Sequence, residues 1–300
     1  QHCAAESVSR MYSHLLPPNY KETVKQWISD DCPSFDIGGF VVGEKLETAT
    51  LYCKSSGVLA GIPFATAIFE YLDLEVKWNF DEGVQLVIDP ETSPKILVAT
   101  VTGKCRNILL AERTALNTLS RASGVATASN RAATIKKDNS WHGYIAGTRK
   151  TTPGFRIVEK YSMIVGGVAT HRLDLSQMVM LKDNHIWSAG NITEAVRLAR
   201  SAAGFSMKIE VECQSVEEAI EASAAGADIV MLDNFTAETI HSAAAAVKAV
   251  HPSVMIEASG GITEANMAHY MGPHVDILST SSFTQGYDCL DFSLKLNKRS

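Results

Sequence analysis

The chain contains no CxxC pair: its six cysteines (Cys3, Cys32, Cys53, Cys105, Cys213, Cys289) are scattered singly. That spacing argues against a zinc ribbon or a disulfide framework and fits reduced thiols in a cytosolic enzyme. No apolar run approaches the ~18 residues of a membrane span, and the first residues, Gln1 to Arg10, lack the apolar core of a signal peptide. A soluble, unexported, cytoplasmic protein is expected, so the glycosylation-like triplets at Asn191 and Asn234 read as chance. An excess of basic charge is also missing. The net charge is −6, which argues against extended contact with a nucleic-acid backbone.

Against that acidic background, one segment is strongly basic. Gly147 to Ile186 gathers Arg149, Lys150, Arg156, Lys160, His171, Arg172, Lys182 and His185. Arg149 and Lys150 follow the apolar run Tyr144-Ile145-Ala146 and a glycine, and Lys182 ends the run Met178 to Leu181. Both are strand-end positions, where α/β folds build their sites. Arginine offers planar bidentate donors and lysine a mobile point charge, so the set suits a ligand carrying both carboxylate and phosphate.

At 300 residues, two domains are expected. The N-terminal part begins with an amphipathic helix at Lys21 to Ser29. It continues with period-two strands at Thr48 to Tyr52, Leu74 to Phe80, Val84 to Ile88 and Ile96 to Val101, with a helix at Ile62 to Tyr71. An antiparallel sheet with a few helices follows from this. Ile108 to Lys137 reads as a helix interrupted or bent near Gly124. Beyond Gly143, apolar runs ending at Lys182, Glu212, Asp233, Ser259 and Ser279 alternate with helical stretches at Thr193 to Ala203, Val216 to Ala225, Thr236 to Val250 and Glu264 to Tyr270. Such alternation implies parallel strands with right-handed crossovers, a barrel in preference to an open sheet. Its site belongs at the carboxyl ends of the strands. There, Glu212 and Asp233 suit sugar hydroxyls or the water shell of Mg²⁺, or an internal pairing with Lys150 or Lys182. Ser259-Gly260-Gly261, read as opening a helix, suits a phosphate, as does Thr280-Ser281-Ser282. Leu290 to Leu296 reads as a short element packing back on the N-terminal domain.

The motifs GTRKTTPG (147–154), His171-Arg172 and LKDNHI (181–186) resemble the quinolinate phosphoribosyltransferase family. LLAERTALNTLSRASGVA (109–126), IEVEC (209–213), MLDN (231–234), EASGGI (257–262) and DFSLKL (291–296) extend the resemblance over most of the chain beyond about residue 105. It implies an N-terminal α+β sandwich domain with an antiparallel sheet (1–115, with the tail 285–300 packed back on it). An incomplete, seven-stranded α/β barrel (116–284) would follow. It also implies quinolinate and phosphoribosyl pyrophosphate as substrates with Mg²⁺, and a homodimer with shared sites or a larger even assembly such as a hexamer. By the same resemblance Arg113, from the partner subunit, with Arg149, His171 and Arg172 would hold the two pyridine carboxylates. Lys150 and Lys182 would neutralise phosphate and pyrophosphate, and Glu212 and Asp233 would fix the ribose; these four make the catalytic set. Ser259, Gly260, Gly261, Thr280, Ser281 and Ser282 would take the 5′-phosphate. Two positions depart from the family's habit: Ser281 stands where glycine is common, and Val168-Ala169-Thr170 replaces a more glycine-rich approach to His171-Arg172. Rival readings are a nicotinate phosphoribosyltransferase, a Schiff-base aldolase using Lys150 or Lys182, and a non-catalytic sugar-phosphate sensor.

Overall fold

The computed structural model describes residues 12–297, so Cys3 lies outside them; the other five cysteines are unpaired thiols. The amphipathic stretch after Pro17-Pro18 forms helix α1 (Tyr20–Asp31), which buries Val24 and Ile28. A short helix, α2 (Ile37–Val42), follows, its first turn held by Asp36, which accepts from Gly39 N. Strands β1 (Leu46–Cys53) and β2 (Gly57–Val58), helix α3 (Ile62–Tyr71) and strands β3 (Glu75–Trp78), β4 (Gln85–Leu86) and β5 (Ile96–Lys104) come next. Helix α4 (Cys105–Asp138), strand β6 (Tyr144–Gly147) and helix α5 (Arg156–Val165) lead to the repeating half: β7 (Val179–Leu181), α6 (Asp183–Ala189), α7 (Ile192–Ala203), β8 (Ile209–Cys213), α8 (Val216–Ala224), β9 (Ile229–Asp233), α9 (Ile240–Val250), β10 (Met255–Ser259) and β11 (Ile277–Thr280). The last strand is β12 (Phe292–Leu296). Two compact units result. Of the described residues, 12–130, 152–167 and 287–297 form one, and 131–151 with 168–286 form the other.

In the first unit, three of the four period-two runs build, with the tail, an antiparallel sheet of order β12-β1-β5-β3, whereas the run at Val84 to Ile88 supplies β4, which pairs with β2 in a separate two-stranded sheet. Ala49, Leu51 and Cys53 all point to the same face and are fully buried, joined by Val101 and Ala99 from the facing strand. Register decides this burial, since a one-residue slip would turn those side chains outward. The tail does return: β12 pairs antiparallel with β1 from Ala49↔Leu296 to Cys53↔Phe292. Helix α4 runs unbroken through Gly124, contrary to the expected interruption. That glycine is needed for space. A Cβ there would lie 2.4 Å from the Asp288 carbonyl oxygen and 2.8 Å from the Tyr287 ring.

One buried carboxyl in this unit gives its stability a pH dependence. Glu82 accepts hydrogen bonds from Gly61 N (2.6 Å) and Ile62 N (2.9 Å), closing the start of α3 where Gly61 (φ 97) has no side chain to do so. Burial pushes the carboxyl up to about 8, and the two backbone donors only partly oppose it. A raised carboxyl pKa means that the folded state binds the proton the unfolded state has released. Glu82 therefore contributes stability that is complete below about pH 4.5 and lost as pH rises toward 8. In that window the expected loss is about 1.4 kcal/mol per pH unit from this group. Urea denaturation of wild type and Glu82→Gln across pH 5 to 9 checks it: the variant should lack that slope, and equal slopes would show that Glu82 titrates normally.

In the second unit, the strands form one parallel sheet of order β6-β11-β10-β9-β8-β7. The seventh place in the barrel is held by a single parallel bridge, Ala146↔Ala169, on the far side of β6. The side chains of His171, Glu210 of β8 and Glu257 of β10 converge, with ligand atoms within 4.8 Å of one another. Such interior layers, fed by alternate strands, characterise α/β barrels. Beside them in register, Ile229 next to Glu210 and Ile277 next to Glu257 cluster with Ala146. The expected helix at 264–270 is reduced to a 3-10 turn, Met267–Tyr270. Asn266 is the reason: its side chain accepts from Thr263 N (2.8 Å) and donates to Gly261 O (3.0 Å), closing a tight turn instead. Gly272 and Pro273 then end the segment. No helix among the described residues is long and apolar enough to cross a membrane.

Candidate active site

Parallel register aligns the carboxyl ends of the strands. Thr280 lies beside Gly147, Ser259 beside Ser279 and Asp233 beside Ser259. The residues just beyond these ends therefore share one opening, a cavity of about 700 Å³. It is lined by Arg149, Lys150, His171, Arg172, Lys182, Glu212, Asp233, Ser259, Gly260, Gly261, Thr280, Ser281 and Ser282. Every site residue expected from the barrel half is thus brought together. Arg113 is not among the lining residues. It is exposed on α4, in the other unit.

The arginines stand ready for an anion. The Nε of Arg149 is buried and meets no acceptor among the described residues. Arg172 is half-buried and spends one N–H on the weak acceptor Met180 Sδ (3.2 Å). Burial, and next the neighbouring Arg149 charge, pull the Arg172 guanidinium below its ordinary value; Glu210 and Glu257 partly oppose this. Two adjacent cations that disfavour each other gain most from a ligand bearing two negative charges.

Opposite them, Lys182 forms an ion pair with Glu212, which is one of the internal pairings expected. Asp233 Oδ2 accepts from Asn234 Nδ2 (2.6 Å) and Gln214 Nε2 (3.4 Å), which holds the carboxylate at the rim. Gly260 and Gly261 both have positive φ, 104° and 64°. Because no α-helix opens behind them, their role as an anion cradle rests on the turned backbone itself. A Cβ on Gly260 would lie 2.3 Å from Asn234 Oδ1, so only glycine fits. The Thr280–Ser282 turn is fastened from within. Thr280 Oγ1 donates to Ile262 O (2.6 Å) and accepts from Ser282 N (3.1 Å).

Sequence reasoning gave Asn234 no role in the site, quoting it only within the MLDN motif and as a chance glycosylation triplet. Its φ of 59° and its contacts with Asp233 and Gly260 make it a structural pin of the site. It also missed Thr148, Met180, Met231, Glu257 and Gln285, which line the cavity. The signal for Asn234 was its place directly after a strand-end acid. Glu257 carried none, being an acid inside an apolar strand.

A barrel mouth with this distribution of charge belongs to the class of enzymes that bind a sugar phosphate beside a carboxylate-bearing partner. Residues 36–123 match the family model described as "Quinolinate phosphoribosyl transferase, N-terminal domain", and residues 125–295 match its C-terminal counterpart. The chain belongs to the quinolinate phosphoribosyltransferase family. It is similar to the human nicotinate-nucleotide pyrophosphorylase (carboxylating), with 50% identity over 283 residues covering 94% of this chain and 93% of the human one. The Dictyostelium discoideum protein of the same name is 47% identical over 297 residues, covering 96% and 99%. Among solved structures, NadC from Streptococcus pyogenes superposes with a TM-score of 0.83 at 33% identity, covering 94% of this chain and 99% of that one.

Proposed function

We propose that this enzyme transfers the phosphoribosyl group of phosphoribosyl pyrophosphate to the ring nitrogen of quinolinate and releases CO₂. The products are nicotinate mononucleotide and pyrophosphate, as in de novo NAD biosynthesis. The observation that carries the reading is the pair of adjacent guanidinium groups, Arg149 and Arg172, with a buried N–H of Arg149 unspent. A monocarboxylate such as nicotinate would leave one of them unpaired in a partly desolvated place, which disfavours it. Nor is Lys182 set in the apolar pocket that activates nucleophilic lysines, since it is paired with Glu212.

In this reading Arg149 and Arg172, with Arg113 of a partner subunit, pair with the pyridine carboxylates, and His171 stands behind Arg172. Lys150 and Lys182 neutralise phosphate and departing pyrophosphate. Glu212 and Asp233 orient the ribose, and the Ser259–Gly261 and Thr280–Ser282 turns take the 5′-phosphate. The two carboxylates are hard oxygen donors at neighbouring strand ends, a fit for Mg²⁺ held through water; when bound, the ion supplies charge neutralisation at the pyrophosphate. The chain's own groups align the pyridine nitrogen with the anomeric carbon, so that a C–N bond forms as the C–O bond to pyrophosphate breaks with its electron pair. The electron pair of the breaking C–CO₂ bond stays on the ring carbon, where the adjacent nitrogen, now positive, stabilises it, and a proton then adds to that carbon in place of the carboxylate. Arg113 on an exposed face supports a homodimer with shared sites, alone or within a hexamer, and the scattered free thiols support a cytoplasmic enzyme. The test is CO₂ release and mononucleotide formation from quinolinate, phosphoribosyl pyrophosphate and Mg²⁺, with nicotinate in parallel. Turnover of quinolinate alone is expected; turnover of nicotinate alone would overturn the substrate assignment.

A further inference from the structure

His171 has a positive φ of 54°, outside the usual range for a residue with a side chain. Its ring explains how that conformation persists. Nδ1 lies 2.9 Å from the backbone N–H of Arg172, and Nε2 lies 2.9 Å from Oε2 of Glu257. A backbone N–H can only donate, so Nδ1 must accept and bears no proton. An imidazolium, with protons on both nitrogens, is excluded by the same contact. The ring is therefore the neutral Nε2–H tautomer, donating to Glu257. In the free enzyme both nitrogens are engaged inside the protein.

Glu257 is fully buried, and its Oε2 meets this ring. Glu210, equally buried, has its carboxylate 3.6 Å from Nε2 and lies against Glu257; burial, and next the Glu257 charge, push the Glu210 carboxyl well above the usual carboxylate range. A carboxylate placed there satisfies nothing local in β10, so its retention calls for a partner elsewhere. We infer that Glu257 is a positioning residue: by accepting from His171 Nε2 it fixes the tautomer and the ring, whose Nδ1 then holds the Arg172 backbone and so aims the guanidinium into the cavity. The chain of contacts is Glu257, His171, Arg172, substrate. Leaving a buried N–H without its acceptor commonly costs about five- to a hundredfold in the equilibrium it supports.

This inference rests on the reading that Arg172 binds a quinolinate carboxylate, and its test separates the two. In the full-length enzyme, Glu257→Leu removes the acceptor, whereas Glu257→Gln keeps a carbonyl oxygen to accept from Nε2–H. Glu257→Leu is expected to raise the quinolinate KM by about tenfold or more, with the phosphoribosyl pyrophosphate KM unchanged, and Glu257→Gln to restore most of the loss. Equal effects of both variants on both substrates, or no effect of either, would overturn the inference. Independently of turnover, and of whether the leucine variant folds, ¹⁵N-histidine NMR of the wild-type enzyme reads the tautomer, with His171→Asn assigning the resonance. A proton on Nε2 and none on Nδ1 is expected. A protonated Nδ1 would overturn it, as would an Nε2 without a proton, which would assign the His171, Glu210 and Glu257 donors to a metal ion instead. If the wild-type enzyme does not turn over quinolinate yet shows this tautomer, the proposed reaction fails while the Glu257–His171–Arg172 linkage stands.

Discussion

Arg172→Ala is expected to lower kcat/KM for quinolinate by about a hundred- to a thousandfold while leaving the KM for phosphoribosyl pyrophosphate within experimental scatter. Removing one partner of a buried charge pair costs about 3–5 kcal/mol. Arg172 is half-buried, so the lower part of that range applies, and each ~1.4 kcal/mol is a factor of ten. The effect should fall on quinolinate because the guanidinium's recorded side-chain partner in the free enzyme is only the Met180 thioether, leaving its planar donors for a carboxylate. Arg172→Lys keeps the charge but not the bidentate fork, and should recover only part of the loss. Initial rates with quinolinate varied at saturating phosphoribosyl pyrophosphate, and the converse, make the check. A selective rise in the phosphoribosyl pyrophosphate KM would mean that Arg172 faces the other substrate.

The second large effect concerns a residue that the cavity of one chain does not contain. Arg113→Ala and Arg149→Ala should each abolish turnover when assayed alone. After mixing and subunit exchange, activity should return to about a quarter of the wild-type level, because half of the dimers are hybrids and each hybrid has one intact site of two. In such a hybrid, the chain carrying Arg113→Ala still supplies Arg149, and its partner still supplies Arg113. Exposure of Arg113 on α4, and its absence from the lining of the cavity, motivate the experiment. If exchange is demonstrated, for example by mass spectrometry of differently labelled subunits, and no activity returns, Arg113 does not complete a partner's site.

Much of the site was legible in the sequence because parallel α/β units place their strand ends in one row. A charged or small residue directly after an apolar run then has few places to go. Arg149, Lys150, Lys182, Glu212, Asp233 and Ser259 all followed that rule. The helix expected behind Gly261 did not form because the Asn266 side chain closed the turn first. Gly124, read as an interruption, marks a close approach of residues 287–288 to an unbroken helix. In both cases local propensity was outweighed by a contact that propensity does not describe.

By itself, the sequence determined the order of elements, the period-two and helical faces, the placement of charge at strand ends and the family. These are properties of residues near one another along the chain. Only the tertiary structure decided that the seventh barrel position shrinks to the bridge Ala146↔Ala169 and that Asn234 pins Gly260. It alone decided that Glu257 meets His171 across a separation of 86 residues. An acid inside an apolar strand carries no local mark of its partner. The partner is chosen by the sheet's tertiary arrangement, which brings side chains from β8, β10 and the segment after Ala169 to one point, where an unpaired carboxylate would be costly and a histidine N–H satisfies it.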